Sequence, residues 1–191
     1  MRFPAEQEYL DERVAVVRTM EALEPDAFEH GDTLCEGWAP RDVLGHLLGL
    51  DSQMPEYLKH FGNISKANQA IVDHLRSLSR DELLERAHDW STSPAPLIRP
   101  AAWYLLGDLA MHHQDVLRGQ GRNRVINSAV RDALLREASV LGLGRLTRYR
   151  IEPNDGGRAR GRGRRVEGTS EALSMWLAGR KGLADELDFA S

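Results

Sequence analysis

Residues 107–117 read GDLAMHHQDVL, an apolar helix by its leucine, alanine, methionine and valine content that nonetheless carries Asp108, His112, His113 and Asp115 within eight positions. At about 3.6 residues per turn, Asp108 and His112 lie four apart, about 40° from each other and on one face. Asp115 is three beyond His112 and shares that face, whereas His113 is rotated about 100° away and points elsewhere. A carboxylate and an imidazole converging from one helix offer two metal ligands. A divalent ion in a catalytic site commonly takes a third from the protein and keeps a position open.

Size and charge limit what such a cluster can belong to. With 191 residues and 41% hydrophobic content, the chain can bury a real core as one domain, or as one domain with a small appendage. The net charge of -4 offers no basic excess of the kind a polyanion partner requires. No apolar run approaches the ~20 residues that cross a bilayer, and the N-terminal MRFPAEQEYLDE lacks the apolar stretch of a secretory signal. The expectation is a cytoplasmic protein with no membrane and no nucleic-acid partner. Cys35 is the single cysteine, so no internal disulfide can form.

Outward from residues 107–117, helical periodicity recurs. Leu10, Val14, Val17 and Met20 fall at steps of four and three between Ala5 and Leu23, a helix ended by Pro25. After a polar loop, Pro40 opens a second helix that runs to Gly62, with Pro55 kinking or splitting it. A weaker helical pattern follows from Ile64 to Trp90, broken near Ser79, where Ser79 and Glu82 have the spacing of a capping box. STSPAPLIRP (residues 91–100) is a turn-rich loop, and Pro100 opens the fourth helix, which stops at RGQGRN. Beyond it, Asn127 caps a helix containing Ala133, Leu134, Val140 and Leu141. LTRYRIEP and RRVEG alternate as two strands, and TSEALSMWLAGR forms a last short helix with Leu173, Trp176 and Leu177 on one face. The architecture inferred is mainly α: a four-helix bundle over residues 1–122, carrying a small C-terminal helix-hairpin-helix (α/β) appendage over 123–191.

The second helix supplies the third ligand. Val43, His46, Leu50 and Met54 occupy successive helical steps, which places His46 in the stripe that faces the bundle core. Bundles build metal sites from side chains that project inward on facing helices. His46, Asp108 and His112 then form a two-histidine, one-carboxylate set, with Zn²⁺ favoured by mixed nitrogen and oxygen donors and Ni²⁺ as the second choice. Against this stands the plainer alternative that a histidine on an apolar face is hydrogen-bonded in the core. Asp42, four before His46, and Asp115, three after His112, are candidates for outer-shell carboxylates that hold the imidazoles. Trp38 reads as a packing residue before Pro40 and Cys35 as a small buried hydrophobe.

TLCEGWAPRDVLGHLLGLD (33–51), GDLAMHHQDVLR (107–118) and RRVEGTSEALSMWLAGR (164–180), in this order, resemble the mycothiol-dependent maleylpyruvate isomerase family of the DinB-like metal-binding bundles. The resemblance implies a DinB-like four-helix bundle that holds a divalent metal through a histidine of the second helix and an acidic-x-x-x-histidine pair of the fourth. Those positions fall on His46, Asp108 and His112. It further implies mycothiol as cofactor, a metal-activated thiolate that attacks an electrophilic small molecule, and activity as an S-transferase or isomerase. Two departures stand out: Asp108 replaces the usual glutamate, and the C-terminal part is short for the full-length isomerase. These departures favour the alternative, a non-catalytic metal- or ligand-binding bundle; a plain helical interaction protein is a third. Dimerisation through bundle faces is compatible with the pattern.

One segment stands apart from this chemistry. Residues 156–165, GGRARGRGRR, hold five arginines, and between Arg145 and Lys181 ten lysines or arginines face four acidic residues. No aromatic residues are interleaved to stack bases, so a solvated hairpin loop between the two strands is the expectation, with an anion-binding edge second.

Overall fold

The computed structural model describes residues 3–49, 51, 59, 63–96 and 98–190. The chain is mainly helical, with nine α-helices among the described residues and one small sheet near the C-terminus. This is the mainly α architecture with a small C-terminal α/β appendage that the periodicity predicts. Residues 1–102 and 112–123 make one compact unit, and residues 103–111 and 124–191 a second.

In the first unit, α1 (Glu6–Glu21) packs on α5 (Arg80–Thr92), and α3 (Pro40–Gly49) packs on α4 (Ile64–Leu75) and α5. The core face of α1 is rotated by about one residue from the expected stripe. Tyr9, Arg13, Val16, Val17 and Met20 are buried, while Leu10 and Val14 are only partly covered. The cause is Arg13, fully buried, which hydropathy assigns to solvent. Its guanidinium donates to Trp90 O at 2.7 Å and Tyr9 Oη at 2.8 Å, pairs with Asp51, and lies over the Tyr9 and Trp90 rings. A buried cation is tolerated when paired and hydrogen-bonded in this way.

The polar loop after Pro25 contains a turn of helix, α2 (Pro25–His30), anchored by the buried Phe28. The expected course of the second helix beyond Gly49, with Leu50, Met54, the Pro55 kink and the end at Gly62, lies outside the described residues. The break near Ser79 is present. Ser79 caps α5 in a reciprocal box with Glu82. A 3₁₀ turn at Arg99–Ala101 leads into α6 (Ala102–Gly119), the helix of the decisive stretch.

In the second unit, α7 (Ser128–Leu141) is capped by Asn127, whose side chain accepts from Val130 N–H, and it packs on α9 (Ser170–Leu177). α8 (Leu143–Leu146) leads into the sheet. Its strands β1 (Tyr149–Pro153), β2 (Arg160–Gly161), β3 (Arg164–Gly168) and β4 (Asp188–Phe189) lie in the order β2-β1-β3-β4. The expected hairpin is not what forms. β1 and β3 pair in parallel, Ile151 opposite Val166, and part of the Gly/Arg run becomes β2, antiparallel to the other edge of β1. The chain therefore wraps around the start of β1 between residues 160 and 164. Gly161 and Gly163 make this possible: both have positive φ (88° and 91°), and a Cβ on either would sit 2.3 Å from the carbonyl of Tyr149 or Arg148.

Candidate metal centre

His46 lies on α3 and is 1% exposed, and His112 lies on α6 and is 9% exposed. Their rings meet edge to face, with centroids 4.8 Å apart. Asp108 sits one turn before His112 on α6. Two imidazole nitrogens with one carboxylate oxygen are a donor set that suits a divalent ion. The residues present fit a metal.

Helix α6 divides its polar residues as the 100° rotation requires. His113 turns from the cluster to α1, where its Nδ1 lies 2.8 Å from Glu12 Oε1 and its Nε2 2.8 Å from Thr19 Oγ1. With Glu12 ionised, Nδ1 donates and Nε2 accepts the threonine proton. This histidine is structural, inside a buried network joining α1 and α6.

The two outer carboxylates part ways. Asp115 is fully buried, and its Oδ2 lies 3.2 Å from His112 Nδ1. Asp42, expected to steady His46, instead accepts from Arg76 Nε at 3.0 Å and Nη2 at 3.1 Å, and from Ala39 N–H at 3.2 Å. The competing interaction is the end of its own helix: a first-turn carboxylate satisfies an orphan N–H there and ties α3 to Arg76. The bond to Asp42 holds the Arg76 guanidinium above its ordinary pKa.

Two residues of the loop before α3 belong to this cluster, although hydropathy gives no sign of it. Trp38 donates from Nε1 to Gln69 Oε1 at 3.1 Å, and its ring lies 5.3 Å from the His46 ring and 6.1 Å from the His112 ring. It walls the two imidazoles with an apolar face. Cys35 Sγ lies 2.9 Å from Asp115 Oδ2 and 3.3 Å from His112 Nδ1. The loop is held flush against α6: Leu34 N–H donates to the Asp115 carbonyl, Thr33 Oγ1 donates to Trp38 O, and Gly119 leaves room for Asp32 and Thr33. A Cβ at Gly119 would lie 2.2 Å from Asp32 O. The sequence signals for this loop were its position just ahead of the helix that carries His46 and its place in the motif TLCEGWAPRD.

No family model and no curated protein matches the sequence. Among solved structures, the chain is similar to the crystal structure of the mycothiol-dependent maleylpyruvate isomerase, with a TM-score of 0.60 and 15% identity over 97% of this chain and 92% of that one. It is similar in the same measure to a histidine-to-alanine variant of that isomerase, with a TM-score of 0.61 and 14% identity over the same shares. This chain has the maleylpyruvate isomerase fold. The motif resemblance and the fold likeness point the same way, and the likeness spans 92% of the isomerase chain.

Proposed function

We propose that this chain is a metal-dependent enzyme of the maleylpyruvate isomerase kind, a thiol-using isomerase or S-transferase acting on an electrophilic small molecule. The observation that carries the proposal is the meeting of two buried imidazoles from different helices, His46 and His112, with a carboxylate one turn away on the same helix as His112. Packing alone gives no reason to bury this set together.

In this proposal the bundle of residues 1–122 is the metal-binding domain and residues 123–191 form its appendage. His46, Asp108 and His112 hold a divalent ion, with Zn²⁺ first by donor chemistry. Bound there, the ion supplies positive charge that lowers the pKa of a coordinated thiol; mycothiol is the thiol on which the solved isomerase depends. Asp115 fixes the tautomer and orientation of His112 through Nδ1, leaving Nε2 as the donor. The Trp38 ring shields the imidazoles from water, which strengthens electrostatic interactions around them. A non-catalytic metal-binding bundle is the second reading, favoured by Asp108, whose side chain is one methylene shorter than the glutamate of the resembled family.

Elemental mass spectrometry on tag-free protein tests the proposal, with His46→Ala and His112→Ala beside the wild type. The expected result is about one divalent ion per chain, lost in both variants while the circular dichroism is retained. Wild-type protein that takes up no Zn²⁺ or Ni²⁺ on incubation removes the proposal. Metal-loaded protein without mycothiol-dependent turnover on activated alkenes leaves the second reading.

A further inference from the structure

Cys35, His112 and Asp115 offer three donor atoms whose separations are 2.9, 3.3 and 3.2 Å. An ion with a thiolate at about 2.3 Å and nitrogen and oxygen at about 2.1 Å has ligand-to-ligand edges of about 3.3–3.6 Å in tetrahedral geometry. The observed triangle is smaller than one face of such a tetrahedron by at most about 0.7 Å, on the sulfur–oxygen edge. Asp115 is fully buried, His112 nearly so, and Cys35 half-buried. The atom His112 presents to this group is Nδ1. The ring's other nitrogen is the one the proposed His46–Asp108–His112 centre draws on.

We propose that Cys35, His112 and Asp115 form a second metal site, thiolate-bearing and selective for borderline-soft divalent ions, that shares His112 with the first centre. It goes beyond the proposed function, resting on a different donor set and on a residue that function does not use. In the metal-free protein the Cys35 S–H donates to Asp115 Oδ2. On binding with the first centre filled, the ion takes the place of two protons: the Cys35 S–H and His112 Nδ1–H bonds break, and one sulfur–metal and one nitrogen–metal bond form. His112 becomes a bridging imidazolate, and both protons go to solvent with no change of oxidation state; in His46→Ala the Nδ1 proton moves to Nε2 instead. The pairing of a thiolate with imidazole and carboxylate favours Zn²⁺ or Co²⁺ over Mg²⁺ or Ca²⁺, which prefer oxygen.

Because Cys35 is the only cysteine, any sulfur signal reports on this site alone. The test is titration of the full-length apoprotein with Co²⁺, anaerobically, in the wild type, Cys35→Ser, His46→Ala and the double variant. A sulfur-to-cobalt charge-transfer band in the near ultraviolet is expected in His46→Ala, absent from the double variant, with Co²⁺ binding at least about tenfold weaker when Cys35 is also removed. A folded His46→Ala protein that binds Co²⁺ without this band, or keeps it in the double variant, overturns the second site. If His46→Ala does not fold, alkylation of wild-type Cys35 by iodoacetamide decides: Zn²⁺ slows it at least about tenfold if sulfur is a ligand, and leaves it unchanged if not. Failure of the first centre reads differently, because Cys35→Ser then takes up no ion at all.

Discussion

Both units have apolar cores, but the first also buries a set of paired charged and imidazole side chains. In the first, Glu12, Arg13, His46, His112, His113 and Asp115 are all at least nine-tenths covered, whereas the second is cored by Leu134, Leu135, Ile151, Val166, Leu173 and Met175, each with no exposure. A polar group removed from water costs free energy that pairing at best offsets, so a region under selection for stability alone resembles the second unit. The first unit pairs Arg13 with Asp51, His113 with Glu12, and His112 with Asp115. The proposed metal centre draws on one of these pairs, His112 with Asp115.

The sharpest way to break this contrast is at Arg13. Arg13→Ala leaves Asp51 without its cation and the Trp90 carbonyl without its donor, and unfolding in urea is expected to show a loss of about 3–5 kcal/mol. A loss under about 1 kcal/mol means that the buried cation is merely tolerated and that the first unit owes its stability to apolar contacts like the second. The matching cut in the second unit is Leu134→Ala, expected to cost about 2–5 kcal/mol by the cavity it leaves. Metal content then stays at the wild-type level. Loss of bound metal in Leu134→Ala with the fold retained would show that the units do not separate stability from chemistry.

The same contrast explains what was legible in the sequence. Helices of the bundle follow apolar periodicity, and the caps at Ser79 and Asn127 are readable because their hydrogen bonds are local, three residues apart. Asp108, His112 and His46 could be proposed as ligands because each lies at a helical step. Arg13 rotated the face of α1 because its partners, Asp51 and Trp90, are 38 and 77 residues away. Asp42 was drawn to Arg76, 34 residues on, for the same reason. Cys35 and Trp38 reach the cluster from a loop, where no period relates position to direction, and the parallel pairing of β1 with β3 depends on two glycines wrapping the chain around a strand end. Local rules reach as far as the helix turn. Long-range partners and loop directions come only from the packed chain.

Asp115 sharpens the comparison at intermediate size. Asp115→Asn keeps the shape but weakens the hold on His112 Nδ1, and the affinity for Zn²⁺ is expected to fall about 10–100-fold. Titration of the melting temperature with Zn²⁺ measures this, since a ligand that binds only the native state raises it by mass action. Equal shifts in the wild type and Asp115→Asn would detach Asp115 from the site.

The smallest expected effect lies at the capping box of α5, exposed and remote from the buried pairs. Ser79 Oγ accepts from Glu82 N–H, and Glu82 Oε2 accepts from Ser79 N–H at 2.8 Å and from its hydroxyl at 2.7 Å. Ser79→Ala is expected to cost about 1 kcal/mol. The Ser79 backbone N–H, then its hydroxyl, hold the Glu82 carboxyl below the usual carboxylate range. A carboxyl with a depressed folded pKa stabilises the fold above its unfolded pKa of about 4.3, and that contribution vanishes as pH falls through the folded value. The stability gap between wild type and Glu82→Gln is therefore greatest at neutral pH and closes below about pH 4. Urea midpoints across that range check it, and a gap that widens toward acid would mean that the cap binds the neutral carboxyl better than the carboxylate. Because this pH dependence comes from an exposed cap rather than from a buried imidazole, it also gives the baseline against which any acid sensitivity of the buried cluster has to be measured.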